Sequence, residues 1–129
     1  MPWAMRHAEG DQVLVIGYHG TITAEELEEA NVRAMAQLME KKIGKVMVDC
    51  SAARAEMPIL DVYKLPDLYV AGNMSRMIRV AMILPRDGYK QEVYEFYEDV
   101  CRNRGFYVQL FDDGDLAWEW LRGQSGLSP

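Results

Sequence analysis

The sequence predicts an α/β fold with a mostly parallel sheet, an antiparallel first hairpin and helices mainly on one face. Three observations carry this. Strand-like and helix-like segments alternate along the chain in the order β-β-α-β-α-β-α-β-α, which implies parallel strands joined by right-handed crossovers. The first two strand-like runs, Trp3–Ala8 and Val13–Tyr18, are separated only by a short turn around "EGD", the mark of a hairpin. The later strands have unlike faces. Val46, Val48, Ile78, Val80, Met82, Phe106, Val108 and Leu110 are uniformly apolar. Their alternates include Lys45, Arg79 and Gln109 among Met47, Ala81, Ile83, Tyr107 and Phe111. A sheet covered on both sides reads as apolar on both faces, so the second side is expected to be partly open.

Each element has its own signals. In the hairpin turn, Gly10 is the residue expected to take positive φ. Thr23 is a good N-cap, and Glu26 three residues on completes a capping box. Four early glutamates suit the positive end of the following helix. Its apolar stripe is Leu27, Ala30, Ala34, Met35 and Leu38, and Lys41, Lys42 and Gly44 supply the stop. "KVMVD" is the next strand. The stretch after it is broken by Pro58 and Pro66 into two short helices, near 58–64 and 66–73. "MIRVAMIL" is a strand stopped by Pro85. "GYKQEVYEFYEDVCRNRG" is a helix with Val93, Phe96, Tyr97, Val100 and Cys101 inward. "FYVQLF" is the last strand, and "DDGDLAWEWL" the last helix, anchored by Leu116, Trp120 and Leu121. Residues 1–122 are expected to form one domain and 123–129 a flexible tail.

Composition narrows the function classes. The chain has 129 residues, half of them apolar, which suffices for one real core. No apolar run approaches a membrane span, and no basic flank precedes an apolar stretch at the N-terminus. A cytoplasmic protein with no membrane insertion and no signal peptide is expected. A net charge of −6 argues against nucleic acid as a partner. The charge is uneven: residues 41–90 carry nine Lys and Arg against five Asp and Glu. A basic middle of this kind is compatible with a patch facing an anion, or with a simply solvated face.

The residue types for catalysis do not assemble into a motif. Cys50 and Cys101 fit no metal or disulfide spacing and read as reduced, buried thiols. A nucleophilic Cys50 would need a base, and His7 and His19 show no motif connecting them to it. The "DCS" of residues 49–51 is expected at the carboxyl end of a strand, with Asp49 capping the following turn. A receiver-type acidic constellation is absent, and so is any zinc spacing or phosphate cradle. No catalytic residue, metal or cofactor is assigned.

Several stretches resemble STAS-like domains, the SpoIIAA-like family built on the anti-sigma-factor-antagonist fold. "NRGFYVQLFDDGDLAWEWL" is similar to their last strand–helix unit, "GTITAEELEEA" to the entry of their first helix, and "VMVDCS" to their central strand. The resemblance implies a βα superhelix and a non-enzymatic role in binding a regulatory partner or a small apolar ligand. It also implies a phosphorylated serine at the start of the helix after the central strand. Here that region reads "AEMPILD", with Pro58 and Ile59 where the serine is expected. No phosphosite is matched; Ser51 is a remote candidate several residues too early.

Residues 52–76 carry more apolar side chains than two short helices easily bury. They are read either as ordinary core or as a cover over an apolar crevice. The candidate ligand or partner surface is Arg54, Met57, Leu60, Tyr63, Lys64, Tyr69 and Arg79, with Arg54, Lys64, Arg76 and Arg79 gathered toward an anionic head group. Two functions follow. One is a regulatory protein–protein interaction module, with homodimerisation through the mixed sheet face or the broken second helix among its forms. The other is binding or transport of an apolar, lipid-like molecule in a crevice under 52–76.

Overall fold

The computed structural model describes residues 2–56 and 59–123. Strand β1 (Trp3–Ala8) and strand β2 (Val13–Ile22) form the antiparallel hairpin, with Trp3 opposite Tyr18 and Ala8 opposite Val13. The hairpin is where the sequence placed it, but its tight residue is not Gly10. Gln12 takes the left-handed conformation (φ 55°), and Ala8 O accepts from Asp11 N–H at 3.2 Å to close the turn. Helix α1 (Ala24–Lys41) starts from the expected box. Thr23 Oγ1 accepts from Glu26 N–H at 3.2 Å, and Glu26 Oε1 accepts from Thr23 N–H at 3.0 Å. Lys42 stops it in the left-handed region and donates its N–H to Leu38 O, so the stop falls on lysine and not on Gly44.

Strand β3 (Lys45–Ala55) is followed by the short helices α2 (Ile59–Tyr63) and α3 (Leu65–Ala71), strand β4 (Arg79–Ile83), helix α4 (Gln91–Asn103), strand β5 (Tyr107–Phe111) and helix α5 (Gly114–Arg122). Pro66 sits in the first turn of α3, where its missing N–H costs nothing. Pro58 and Met57 lie outside the described residues, as does the predicted tail beyond Gly123.

The five strands lie in sequence order, β1 to β5, and every pair after the first is parallel. Sequential right-handed crossovers carry α1, α2–α3 and α4 to one face. There Ile16, Val48, Val80, Met82 and Val108 meet Ala34, Leu38, Tyr69 and Cys101 in the main core. Helix α5 follows the last strand and crosses to the other face. It buries Ala117 and Leu121 against Val13, Met47 and Ala81. The unlike strand faces thus have their physical origin: four helical segments cover one side, and one short helix covers part of the other. The anchors of α5 are Ala117 and Leu121, with Trp120 half-buried. Leu116, expected among them, is 54% exposed, because it lies on the outward turn of the helix.

Strand β3 is longer than its apolar run suggested. It pairs with β4 only as far as Asp49–Ile83, then continues along β2 to Ala55. Between Gly17–Asp49 and His19–Ala52 the register shifts: β3 has one residue more than β2, a bulge at Cys50 and Ser51. His19 lies within β2, next to this shift.

Candidate functional site

The bulge corrects the reading of "DCS". Asp49, Cys50 and Ser51 are inside a strand and not at its end. Asp49 Oδ1 accepts from Ser51 N–H at 2.9 Å, which satisfies a ladder donor that the bulge displaces. Asp49 is thus a local cap, as expected, but of a bulge. On the other side, Ser51 O accepts from Arg86 N–H at 3.2 Å, tying the loop after β4 to the free stretch of β3.

Cys50 lines a crevice between the carboxyl halves of the central strands and the helices above them. Its wall also includes Tyr18 of β2, Val62 of α2, Tyr69 of α3, and Tyr94 and Tyr97 of α4. The cavity is about 70 Å³ and mostly apolar. Three of its polar side chains are bonded to one another. The Tyr69 and Tyr97 hydroxyls share a 2.6 Å hydrogen bond, and Tyr69 O–H reaches Asn31 Oδ1 at 3.4 Å. Asn31 is held by donating Nδ2–H to Leu27 O at 2.9 Å. Burial raises the pKa of Tyr18, Tyr69, Tyr94 and Tyr97, so the ring of hydroxyls stays neutral. Burial, followed by the charge of Asp49, pushes the Cys50 thiol up to about 12. A thiol held that high supplies almost no thiolate at neutral pH and is a poor nucleophile.

A second group of residues surrounds the loop after β4. Arg54 Nη2 pairs with Asp87 Oδ2 at 2.8 Å and lies over the Tyr89 ring at 4.7 Å. Tyr89 O–H donates to the Glu56 carboxylate, and Lys90 Nζ lies 3.6 Å from Glu56. The bond from Tyr89, followed by the charge of Lys90, lowers the Glu56 pKa. Every member is exposed or half-exposed, so this network fastens a surface loop and is no buried reaction centre.

The predicted surface residues separate into four places. Tyr69 is buried in the crevice wall. Leu60 and Tyr63 are outside it, 68% and 57% exposed on α2, with the Tyr63 ring stacked on Phe96 at 6.4 Å. Lys64 is exposed between α2 and α3, and Arg54 is in the loop network. Arg79 is on the opposite face of the sheet: its Nη2–H donates to Trp120 O at 2.6 Å, and its guanidinium lies 4.2 Å from the Trp120 ring centre. Arg76 is packed over Phe106 at 4.3 Å and donates to Arg104 O. The expected cationic cluster of Arg54, Lys64, Arg76 and Arg79 is therefore not assembled. Strand alternation separates Arg79 from the crevice, and an aromatic ring holds each of the three guanidinia. Met57 lies outside the described residues. The sequence reading missed Tyr18, Asn31 and Tyr94. Tyr94 was legible in principle, since it lies three residues before Tyr97 and seven before Cys101 on the inner face of α4.

Among the described residues no three of His, Cys, Asp and Glu converge to hold a metal ion. Nor is any described helix long and apolar enough to cross a membrane.

No known protein family matches this chain by sequence, and no curated protein does. Solved structures do match in fold. The anti-sigma-factor antagonist SpoIIAA in its unphosphorylated form superposes with a TM-score of 0.57 at 15% identity, covering 95% of this chain and 99% of that one. An uncharacterised protein of the DUF3478 family with a SpoIIAA-like fold, from Shewanella loihica PV-4, gives 0.59 at 19% identity, covering 92% and 91%. The chain has the SpoIIAA-like, STAS-type α/β fold, as the sequence resemblance implied.

Proposed function

We propose that the chain is a non-catalytic binding module that engages a protein partner through the outer surface of α2 and the adjoining turn of α4. The exposure of Leu60 and Tyr63 carries this reading. Both are large and apolar, both lie on a five-residue helix, and Tyr63 extends the patch by stacking on Phe96. Apolar anchors rimmed by polar groups are the common anatomy of a protein interface. Charged residues of both signs flank the anchors in sequence, Asp61 and Lys64 around Tyr63 and Glu95 beside Phe96. The inert thiols and neutral tyrosines support a role without chemistry, and the likeness to an anti-sigma-factor antagonist supports a regulatory one.

The crevice favours a second reading, a site for a small apolar molecule beneath α2. Its size limits that reading. A cavity of about 150 Å³ is filled by benzene alone, and this one is about 70 Å³. A lipid-like guest would need α2 to move outward.

The test is a photo-crosslinking residue placed at Tyr63 in cells that express the chain, with a control at exposed Leu116 on α5. The reading predicts a discrete protein adduct from position 63 that Leu60→Glu removes and position 116 does not give. Equal labelling from both positions, or none from position 63, refutes it.

A further inference from the structure

At the other end of the sheet, near the amino ends of β3 and β4, lies a groove of about 300 Å³. Four of the nine methionines line it. Met35 and Met39 are one helical turn apart on α1, and Met74 and Met77 come from the segment between α3 and β4. Met39 and Met77 are 61% and 83% exposed, while Leu38, Ile43 and Ile78 are buried beneath them. Two large apolar side chains thus face water above a concave apolar floor. Unbranched thioethers adapt to the shape of whatever covers them, which is why they recur at peptide-binding surfaces.

The charge around this groove gives the partner its sign. Beside the groove, the end of α1 carries Lys41 and Lys42 against the carboxylate of Glu40. Lys45 and Arg79 are paired strand neighbours that alternation turns to the α5 face, where Arg79 packs on Trp120. Arg76 lies over Phe106. Lys41 and Lys42 take part in no ion pair among the described residues. Lys42 itself lines the groove, one residue from Lys41.

We propose that this groove is a second docking site, independent of the α2 surface, for an acidic amphipathic helix of a partner protein. Such a helix lays apolar residues at i, i+3, i+4 and i+7 into the groove. Its carboxylates meet Lys41 and Lys42, which sets orientation and speeds encounter. Two lysines at a concave rim suit a peptide better than a membrane, whose anionic surface is matched by clusters of about four to eight cations. The acidic α1 of a second copy is no such helix, because its apolar stripe is already buried.

The experiment is selection of a displayed library of random peptides on the folded, immobilised chain. The recovered peptides are then measured against three double variants: Met39→Ser/Met77→Ser, Lys41→Glu/Lys42→Glu and Leu60→Glu/Tyr63→Glu. All six positions are exposed, and circular dichroism checks that each variant folds. The expected result is acidic peptides with helical apolar spacing, weakened about tenfold or more by the first two variants and unchanged by the third. Recovery of no peptides, or of basic or uncharged ones, overturns the proposal. So does acidic-peptide binding that depends on Leu60 and Tyr63. Phosphatidylglycerol vesicles serve as the competing probe: vesicle binding lost in the first two variants, without any acidic peptide recovered, assigns the groove to a membrane surface and also overturns it.

Discussion

At the scale of single residues, Cys50 and Cys101 show how burial decides chemistry. Both are buried, and burial raises both thiols from 9.0 to about 12. The folded state thus favours the protonated thiol more than the unfolded state does. The stabilisation is complete below about pH 9 and is lost as pH rises toward 12. Thermal unfolding followed from pH 8 upward is expected to show the midpoint falling from about pH 9. In Cys50→Ala/Cys101→Ala the fall begins later, where the buried tyrosines start to ionise. Under native conditions at neutral pH, iodoacetamide should label neither thiol before global unfolding. Tyr69 makes a second prediction at this scale. Tyr69→Phe removes the partner of the buried Tyr97 hydroxyl and should lower stability by about 1–2 kcal/mol in urea titration, with the fold unchanged. What the sequence concealed here was positional. "DCS" looked like a strand end because an acid and a serine commonly cap turns. A single extra residue in β3 keeps the same side chains inside the sheet, and a bulge has no composition of its own.

Among the elements, the helix ends and the strand alternation were the most legible. Thr23 and Glu26 form the box their spacing announces, since both partners are three residues apart and no tertiary contact is needed. Thr23→Ala is expected to cost about 1 kcal/mol, read from the urea midpoint. Turn conformations were less legible. Glycine permits positive φ without requiring it, and here Gln12 and Lys42 adopt it while Gly10 and Gly44 do not. Helix α5 was half legible. Its existence followed from the pattern "DDGDLAWEWL", and Asp113 Oδ1 caps it by accepting from Asp115 N–H at 2.7 Å. Which residues anchor it depends on the face it reaches, and that depends on the whole sheet. Leu121 is fully buried against Met47 and Ala81. Leu121→Ala should destabilise by about 2–5 kcal/mol, whereas Leu116→Ala should change stability little.

At the scale of the molecule, the order of elements alone determined the architecture. Strands that follow one another in sequence and in space, joined by right-handed crossovers, place every connecting helix on one face and leave the other to α5. The candidate surface was less legible because residues 52–76 divide between two environments. Val62, Leu65 and Tyr69 turn inward as core, while Leu60 and Tyr63 turn outward, and a five-residue helix is too short for periodicity to separate the two. The cationic cluster failed for a different reason: alternation along β4 turns Arg79 to the α5 face, while Arg54, Lys64 and Arg76 come from separate segments and two of them are held on aromatic rings. On the proposed function, the occupant of the α2 surface is a protein and the crevice beneath it stays empty. The most direct test is native mass spectrometry of the chain taken from freshly lysed cells. The account predicts the bare chain together with complexes heavier by the mass of a whole protein, which Leu60→Glu/Tyr63→Glu removes. A species heavier by only a few hundred daltons, lost on denaturation and unaffected by that variant, would contradict it.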